Sequence, residues 1–200
     1  MRPVHVVIFA KAPLPGFAKT RLIPVLGAQG AAALAHRLLL DKLEQALAAL
    51  IGPVEVCVTP SARDPVWKTF ALPSGLLLTD QGEGDLGVRM ARAAQRVLDG
   101  GEAVLLIGTD CPALDAAQLQ QAAAALQYTD ATLIPAFDGG YVLLGLNQFH
   151  PSLFSGIAWS TDSVANETMH RMQQLAWTTL TFAPLHDIDE PDDLQWLTAQ

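Results

Sequence analysis

The sequence predicts an α/β protein: a three-layer α/β/α arrangement around a mostly parallel sheet. Three observations carry this. Strand-like apolar runs alternate with helical patterns along nearly the whole chain, which is the order that builds βαβ units. The first run, Val4–Ala10, is apolar without a polar alternation, as expected of a strand covered on both faces. The stops between runs are glycine and proline pairs such as Gly52-Pro53 and Gly100-Gly101. With 200 residues, 50% hydrophobic and 16% charged, the chain suits one domain over residues 1–200. A chain of this size buries roughly 70% of its unfolded surface and needs no disulfide or metal staple.

After the first strand, Gln29–Leu50 carries Leu34, Leu38, Leu39, Leu43 and Leu47 at three- and four-residue spacing and is predicted as a long helix. Val54–Thr59 is the second strand, Ser61–Leu72 holds a short helix with Trp67, and Leu76–Leu78 is a short third strand. The loop Asp80–Asp85 leads into a helix over Leu86–Leu98, with Asp85 as its cap. Ala103–Ile107 is the fourth strand, broken by Gly108-Thr109-Asp110-Cys111-Pro112. Asp115 caps an alanine-rich helix that runs to Leu126. Ala131–Pro135 and Tyr141–Leu146 are strands joined through Asp138-Gly139-Gly140, a hairpin-like insertion that breaks the regular alternation. Ser160–Leu175 reads as a helix capped by Ser160 or Thr161, Thr178–Phe182 as a strand, and a last short helix starts near Pro191.

Twelve Lys and Arg against 20 Asp and Glu give a net charge of −8. That balance excludes the broad basic face of a nucleic-acid binder and disfavours attachment to anionic membrane. Cys57 and Cys111 are read as free thiols of a reducing compartment. The apolar run after Arg2 is too short for a span and lacks a signal-peptide pattern, so a cytoplasmic location is expected.

Within this acidic chain, Lys11, Lys19 and Arg21 crowd onto one loop with Pro13, Pro15 and Gly16, directly after the first strand. Open α/β sheets bind ligands at the carboxyl ends of their strands, and lysine and arginine there suit phosphate. The spacing is neither a P-loop nor a dinucleotide-binding fingerprint. Asp110 follows a buried strand, where an uncompensated carboxylate is expensive. It either bonds backbone amides in its turn or holds magnesium or manganese, which take carboxylate and phosphate oxygens together; the basic loop favours the metal.

Asp187 and Asp189 alternate on an extended stretch and so share a side. One of them, or Glu190, also suits the cap of the helix at Pro191. Gln81, Gly82, Gly84 and Gly87 allow backbone to approach a ligand, or simply make a strand-to-helix turn, with Arg89 reaching phosphate or pairing with Glu83 or Asp85. Asp138, Gly139 and Gly140 make either a plain hairpin turn or a sugar or acceptor pocket walled by Trp159. The five histidines show no ligand spacing, and only His186, beside Asp187, merits attention.

Taken together, Lys11-x-Pro13-x-Pro15-Gly16-x-x-Lys19-Thr20-Arg21-Leu22, Gly108-Thr109-Asp110-Cys111-Pro112, Asp138-Gly139-Gly140-Tyr141 and Asp187-Ile188-Asp189-x-Pro191-x-Asp193-Leu194 resemble the nucleotide-diphospho-sugar transferase superfamily, the glycosyltransferase-A fold. The chain is most similar to a bacterial glycosyltransferase-A-like family of uncertain function, some of whose members are labelled arsenosugar-biosynthesis-type glycosyltransferases. A more distant likeness is to phospholactate and molybdenum-cofactor guanylyltransferases.

The resemblance implies that Lys11, Pro15, Gly16, Lys19 and Arg21 contact the phosphates of a nucleotide or nucleotide-sugar donor. It assigns Gln81, Gly82, Gly84, Gly87, Thr109, Gly139 and Gly140 to the rest of the donor and acceptor site. Asp110, Asp187 and Asp189 would hold Mg2+ or Mn2+, and Lys19, Arg21 and Asp110 would serve catalysis. The chain lacks the glycine-rich first loop of sugar nucleotidyltransferases, and Thr109-Asp110 stands where many glycosyltransferases carry D-x-D. The expected function is metal-dependent group transfer from a nucleotide to a small acceptor. Nucleotidyl transfer with pyrophosphate release is the alternative within that class, and a non-catalytic nucleotide-binding module is the alternative outside it.

Overall fold

The computed structural model describes residues 2–197. Seven strands, β1 (Val4–Lys11), β2 (Val54–Thr59), β3 (Leu77–Asp80), β4 (Ala103–Ile107), β5 (Ala131–Pro135), β6 (Tyr141–Leu146) and β7 (Thr179–Thr181), form one sheet in the order β3-β2-β1-β4-β6-β5-β7. β1 pairs in parallel with both β2 and β4, β2 with β3, and β5 with β7. Only β6 runs against its neighbours, β4 and β5, which is the break in alternation that the hairpin-like insertion predicts.

Four helices cover the sheet: α1 (Ile23–Ala48), α2 (Leu86–Asp99), α3 (Ala116–Ala125) and α4 (Val164–Gln174). The period of two along β1 sorts them. Val6, Ile8 and Ala10 pack with Leu39, Leu43 and Ala46 of α1 and Leu119 and Ala122 of α3. Val7 on the other face packs with Met90, Ala93, Ala94 and Val97 of α2 and Ala165 and Met172 of α4. The three-layer architecture is therefore as the sequence predicts. By length and composition α1 is apolar enough to cross a membrane, yet its Leu34, Leu38, Leu39 and Leu43 are buried in the protein.

Asp85 caps α2 by accepting from Val88 N, and Asp115 caps α3 in a full capping box with Gln118, both as expected. Other boundaries differ. α1 begins at Ile23 rather than Gln29, with Pro24 in its first turn and a break at Gly27 (φ 69°, ψ 165°) that apolar spacing alone does not reveal. β3 is Leu77–Asp80 rather than Leu76–Leu78. Residues 61–72 and the C-terminal segment form short 3-10 turns, Pro65–Thr69 and Pro191–Leu197. α4 starts at Val164, because Ser160 takes a left-handed conformation (φ 63°) and Thr161 Oγ1 donates to Ala158 O instead of capping the helix.

The carboxyl ends of β1, β2 and β4 open onto one edge of the sheet. Near the opposite edge lies an ionic network with Glu55 at its centre, its side chain fully buried. Glu55 accepts from Arg96 Nη1 of α2 (2.9 Å) and Thr79 Oγ1 of β3 (2.9 Å) and sits 3.3 Å from His5 Nε2 of β1. His5 Nδ1 faces Glu102, just before β4, at 2.9 Å. Burial pushes Glu55 up, but its bonds from His5, Arg96 and Thr79 win and hold it at about 2. Burial likewise pulls His5 down, yet Glu55 and Glu102 outweigh it and leave the imidazole above its ordinary value.

A histidine with a raised folded-state pKa contributes stability that is complete below its unfolded value and is lost as pH rises through the folded one. His5→Asn is expected to cost about 2 kcal/mol at pH 6 and clearly less at pH 9. Urea denaturation at both pH values checks this, and an equal penalty at both would show that the His5 contacts are not ionic.

Candidate functional site

At the carboxyl edge of β1, β2 and β4 lies a cleft of about 840 Å³ whose lining includes Lys11, Lys19, Arg21, Gln81, Arg89, Thr109, Asp110, Asp138, Gly140, Trp159, Asp187 and Asp189. Its volume is in the range of small-molecule and cofactor sites.

The loop after β1 builds one lip. Ala12 N donates to Thr59 O (2.8 Å), and Ala12, Ala18 and Leu22 are buried, so the loop is anchored on both sides of its charges. Lys11 Nζ lies 4.5 Å from the centroid of the Phe17 ring, a cation–π contact. Arg21 is well exposed and pairs with Glu190 at 3.2 Å. Lys19 behaves differently. It holds a left-handed backbone (φ 49°, ψ 42°), and its side chain is only 6% exposed. Its ammonium donates to Ile188 O (2.5 Å), lies 2.6 Å from Asp110 Oδ1 and donates to Asp189 Oδ1 at 2.8 Å. Burial pulls Lys19 down, but Asp110 and Asp189 more than compensate and keep it firmly protonated.

The second wall comes from the C-terminal segment. Leu185 N donates to Pro135 O and Phe137 N to Leu185 O, extending the β5 edge. His186 is stacked between Phe137 and Trp196, at 4.0 and 3.9 Å between ring centroids. Ile188 is fully buried with Leu22, Leu34 and Leu38, and Ile188 N donates to Asp110 O (2.8 Å). The predicted carboxylates Asp110, Asp187 and Asp189 therefore line one cleft, with Lys19 at the junction. At the turn that starts with Pro191, Glu190 O accepts from Asp193 N (3.0 Å), while the carboxylates of Asp189 and Glu190 point to Lys19 and Arg21. Asp193 Oδ2 accepts from the N–H of Asp189 and of Glu190 (3.0 and 2.7 Å).

Burial raises Asp187 to about 7, with the charges of Asp138, Asp189 and Asp110 adding to it. Asp138 also closes its own turn by accepting from Gly140 N (2.8 Å), so the hairpin reading of that motif holds alongside its place in the cleft. Among the described residues no three metal-ligating side chains form a ready-made cage. The donor set nevertheless fits a hard divalent cation. Magnesium is bound through one or two carboxylates, with phosphate and water oxygens completing its sphere, and Asp110 and Asp189 already share one cation, the Lys19 ammonium.

Several predicted glycines lie outside the cleft lining. Pro15 and Gly16 (φ 76°) shape the first loop, while at Gly82, Gly84, Gly87 and Gly139 protein atoms fill the place of a Cβ. A Cβ on Gly139 (φ 91°) would meet Asp162 O at 2.1 Å, and one on Gly87 would meet Phe154 O at 2.3 Å and Trp159 Nε1 at 2.5 Å. Gln81 is buried. Its amide donates to Ala10 O and Cys57 O, and its Oε1 accepts from Arg89 Nη1 at 3.3 Å. Arg89 also donates to Gly84 O (2.8 Å) and pairs with neither Glu83 nor Asp85.

Sequence reasoning passed over Lys42. It sits on the buried stripe of α1, 2% exposed, and donates to Cys111 O (2.7 Å) and Leu114 O, tying down the loop that presents Asp110. Burial lowers its pKa to about 8. The available signal was a lysine one turn from Leu38, Leu39 and Ala46, on a face otherwise apolar.

Residues 42–161 match the family described as "Uncharacterized protein conserved in bacteria (DUF2064)". A crystal structure from Desulfovibrio desulfuricans G20, described as a candidate nucleotide-diphospho-sugar transferase, is 34% identical with a TM-score of 0.91, covering 100% of this chain and 87% of that one. A cytidylyltransferase from Leptospira borgpetersenii is 15% identical, with a TM-score of 0.65 and coverages of 98% and 85%. Rv0371c of Mycobacterium tuberculosis H37Rv, in complex with manganese, is 15% identical, with a TM-score of 0.53 and coverages of 98% and 98%. The latter two share the fold. Comparison with curated proteins gives no match. The chain belongs to the DUF2064 family.

Lys42→Ala should destabilise the protein by about 2–4 kcal/mol, through a cavity and two stranded carbonyls. Lys42→Met, which fills the space and removes a buried charge, should cost less. Urea denaturation of the two variants checks the order.

Proposed function

We propose that this DUF2064 protein is a metal-dependent transferase that moves a group from a nucleotide-sugar donor to a small acceptor. The observation that carries the reading is the meeting of Asp110 and Asp189 on Lys19, inside a cleft at the carboxyl edge of a parallel sheet. The 34% identical relative described as a candidate nucleotide-diphospho-sugar transferase supports the donor class. The manganese complex of a protein of the same fold supports the choice of Mg2+ or Mn2+.

Asp110 and Asp189 would hold the cation, with Asp187 beside them. When bound, the cation supplies Lewis-acid polarisation of the donor phosphates and stabilises the leaving group. Lys11 and Arg21, exposed on the lip, attract and orient the polyphosphate, and Arg89 adds a third cation on the far wall. Thr109 Oγ1 donates to Asp110 Oδ1 (3.1 Å) and fixes that carboxylate. Gln81, pinned by two backbone carbonyls, gives the donor a rigid floor. Gly140 and Asp138 border the acceptor side, where Trp159 supplies an apolar wall that excludes water. The acidic surface and this cationic lip fit a small anionic substrate in the cytoplasm rather than nucleic acid or membrane.

A second reading, nucleotidyl transfer, is favoured by the number of cations on the first loop, since a triphosphate carries more charge to compensate. It is also consistent with the fold shared with the Leptospira borgpetersenii cytidylyltransferase. Incubation with labelled UDP-glucose, GDP-mannose and the four nucleoside triphosphates separates the two. Release of nucleoside diphosphate supports sugar transfer, and release of pyrophosphate supports nucleotidyl transfer.

Asp110→Asn is expected to lower whichever rate is found by ~100-fold or more, with the melting temperature retained. A variant that keeps wild-type turnover and manganese binding would remove Asp110 from the metal site.

A further inference from the structure

We propose that Lys19 is a resident counter-ion of the carboxylate pair, which a divalent cation must displace and which then passes to the donor phosphates. The inference rests on the reading of Asp110 and Asp189 as metal ligands.

An ammonium has three hydrogens and no more. In this structure three oxygens face it: Asp110 Oδ1 at 2.6 Å, Asp189 Oδ1 at 2.8 Å and Ile188 O at 2.5 Å. Lys19 as placed therefore has no donor left for phosphate, and with its side chain 6% exposed it offers little surface to one. Each carboxylate keeps a second oxygen, but a divalent cation held between the two would stand close against the ammonium. Two cations cannot share that pair of oxygens at such range without strong mutual repulsion in a partly buried site. Ammonium and metal therefore compete for the pair.

The local backbone suits an exchange. Lys19 is held at φ 49°, a conformation that costs a non-glycine residue energy. Its carbonyl accepts from Leu22 N (3.0 Å), so the turn itself fixes the backbone and the side chain is free to move on it. The flanking Ala18 and Leu22 are buried, so the side chain can swing while its anchors stay. Lys11 and Arg21 lie on the same lip and line the same cleft, so a polyphosphate seated there would meet the released ammonium. The device has two consequences. With no metal bound, Lys19 offsets the repulsion among Asp110, Asp138, Asp187 and Asp189. Metal alone then binds weakly, and metal with polyphosphate binds well, because only the second partner gives Lys19 somewhere to go.

The test is Mn2+ affinity without nucleotide, read by electron paramagnetic resonance of free Mn2+, for wild type, Lys19→Met and Lys19→Arg. Lys19→Met is expected to bind Mn2+ at least tenfold tighter than wild type, while Lys19→Arg, which keeps the charge, stays weak. Wild type supplies a second readout that needs no variant. Acylation of Lys19 by acetic anhydride, followed by mass spectrometry, should increase on adding Mn2+ and fall again on adding a nucleoside triphosphate. Equal or weaker Mn2+ binding by Lys19→Met, or Lys19 acylation that Mn2+ leaves unchanged, overturns the exchange and leaves the metal site standing. Mn2+ binding to neither wild type nor Lys19→Met overturns the metal site and the exchange together.

Discussion

Inside the cleft one buried ammonium joins segments that are far apart in the chain. Lys19 follows β1, Asp110 follows β4, and Ile188 and Asp189 lie almost 170 residues downstream of Lys19. Without a cation between them, Asp110, Asp187 and Asp189, with Asp138 close by, would be a concentration of negative charge in a partly desolvated place, and such charge drives itself apart. Asp187, which Lys19 does not reach, is raised first by burial and then by the charges of Asp138, Asp189 and Asp110. The knot is also apolar on one side. Ile188 is buried against Leu22, Leu34 and Leu38, and its N–H closes onto Asp110 O, so the ionic contact is set by packing rather than by flexible surface side chains. Exposed ion pairs are worth little; this one is held in place by a core.

The fold was legible where periodicity alone decides it. The unbroken apolar run of β1, the alternation of strands and helices, and the caps Asp85 and Asp115 all follow from local pattern. Failures came where a tertiary partner overrides a local preference. Ser160 and Thr161 are good caps by composition, but Trp159 packs over Gly87 and the chain needs a left-handed turn at Ser160 before α4 can begin. Asp189 is a good cap for the turn at Pro191, but Lys19 claims its carboxylate, and Asp193 reaches back to bond the N–H groups of Asp189 and Glu190.

The same division applies to the site. Which carboxylates meet was readable, because strand ends in a parallel sheet converge on one edge. What Lys19 touches was not, since a lysine beside a phosphate and a lysine between two aspartates share one sequence. Lys42 escaped for a related reason: its partners are backbone carbonyls of the 111–114 loop, which carry no residue signature. Gly82, Gly84, Gly87 and Gly139 were read either as a close approach to a ligand or as plain turns, and the space beside each Cα is filled by Arg92, Val88, Trp159 and the backbone of Asp162. A missing Cβ shows that something comes close, without saying whether it is substrate or protein.

Strand order explains why the chemistry gathers where it does. β1 has β2 on one side and β4 on the other, so the order turns at the β1/β4 boundary. At such a boundary the loops leaving adjacent strands diverge and open a crevice at the carboxyl edge. Lys11 and Lys19 leave from β1, and Thr109 and Asp110 leave from β4, so cations and carboxylate face each other across that crevice. The antiparallel β6 completes it. By inserting between β4 and β5, it brings the turn at Asp138 and Gly140 back to the same edge, and the Leu185 contacts then carry the C-terminal aspartates alongside. The reversed strand thus adds the Asp138 turn to the crevice and the Leu185 bridge adds the C-terminal aspartates, so the acidic residues of the site come from three separate parts of the chain.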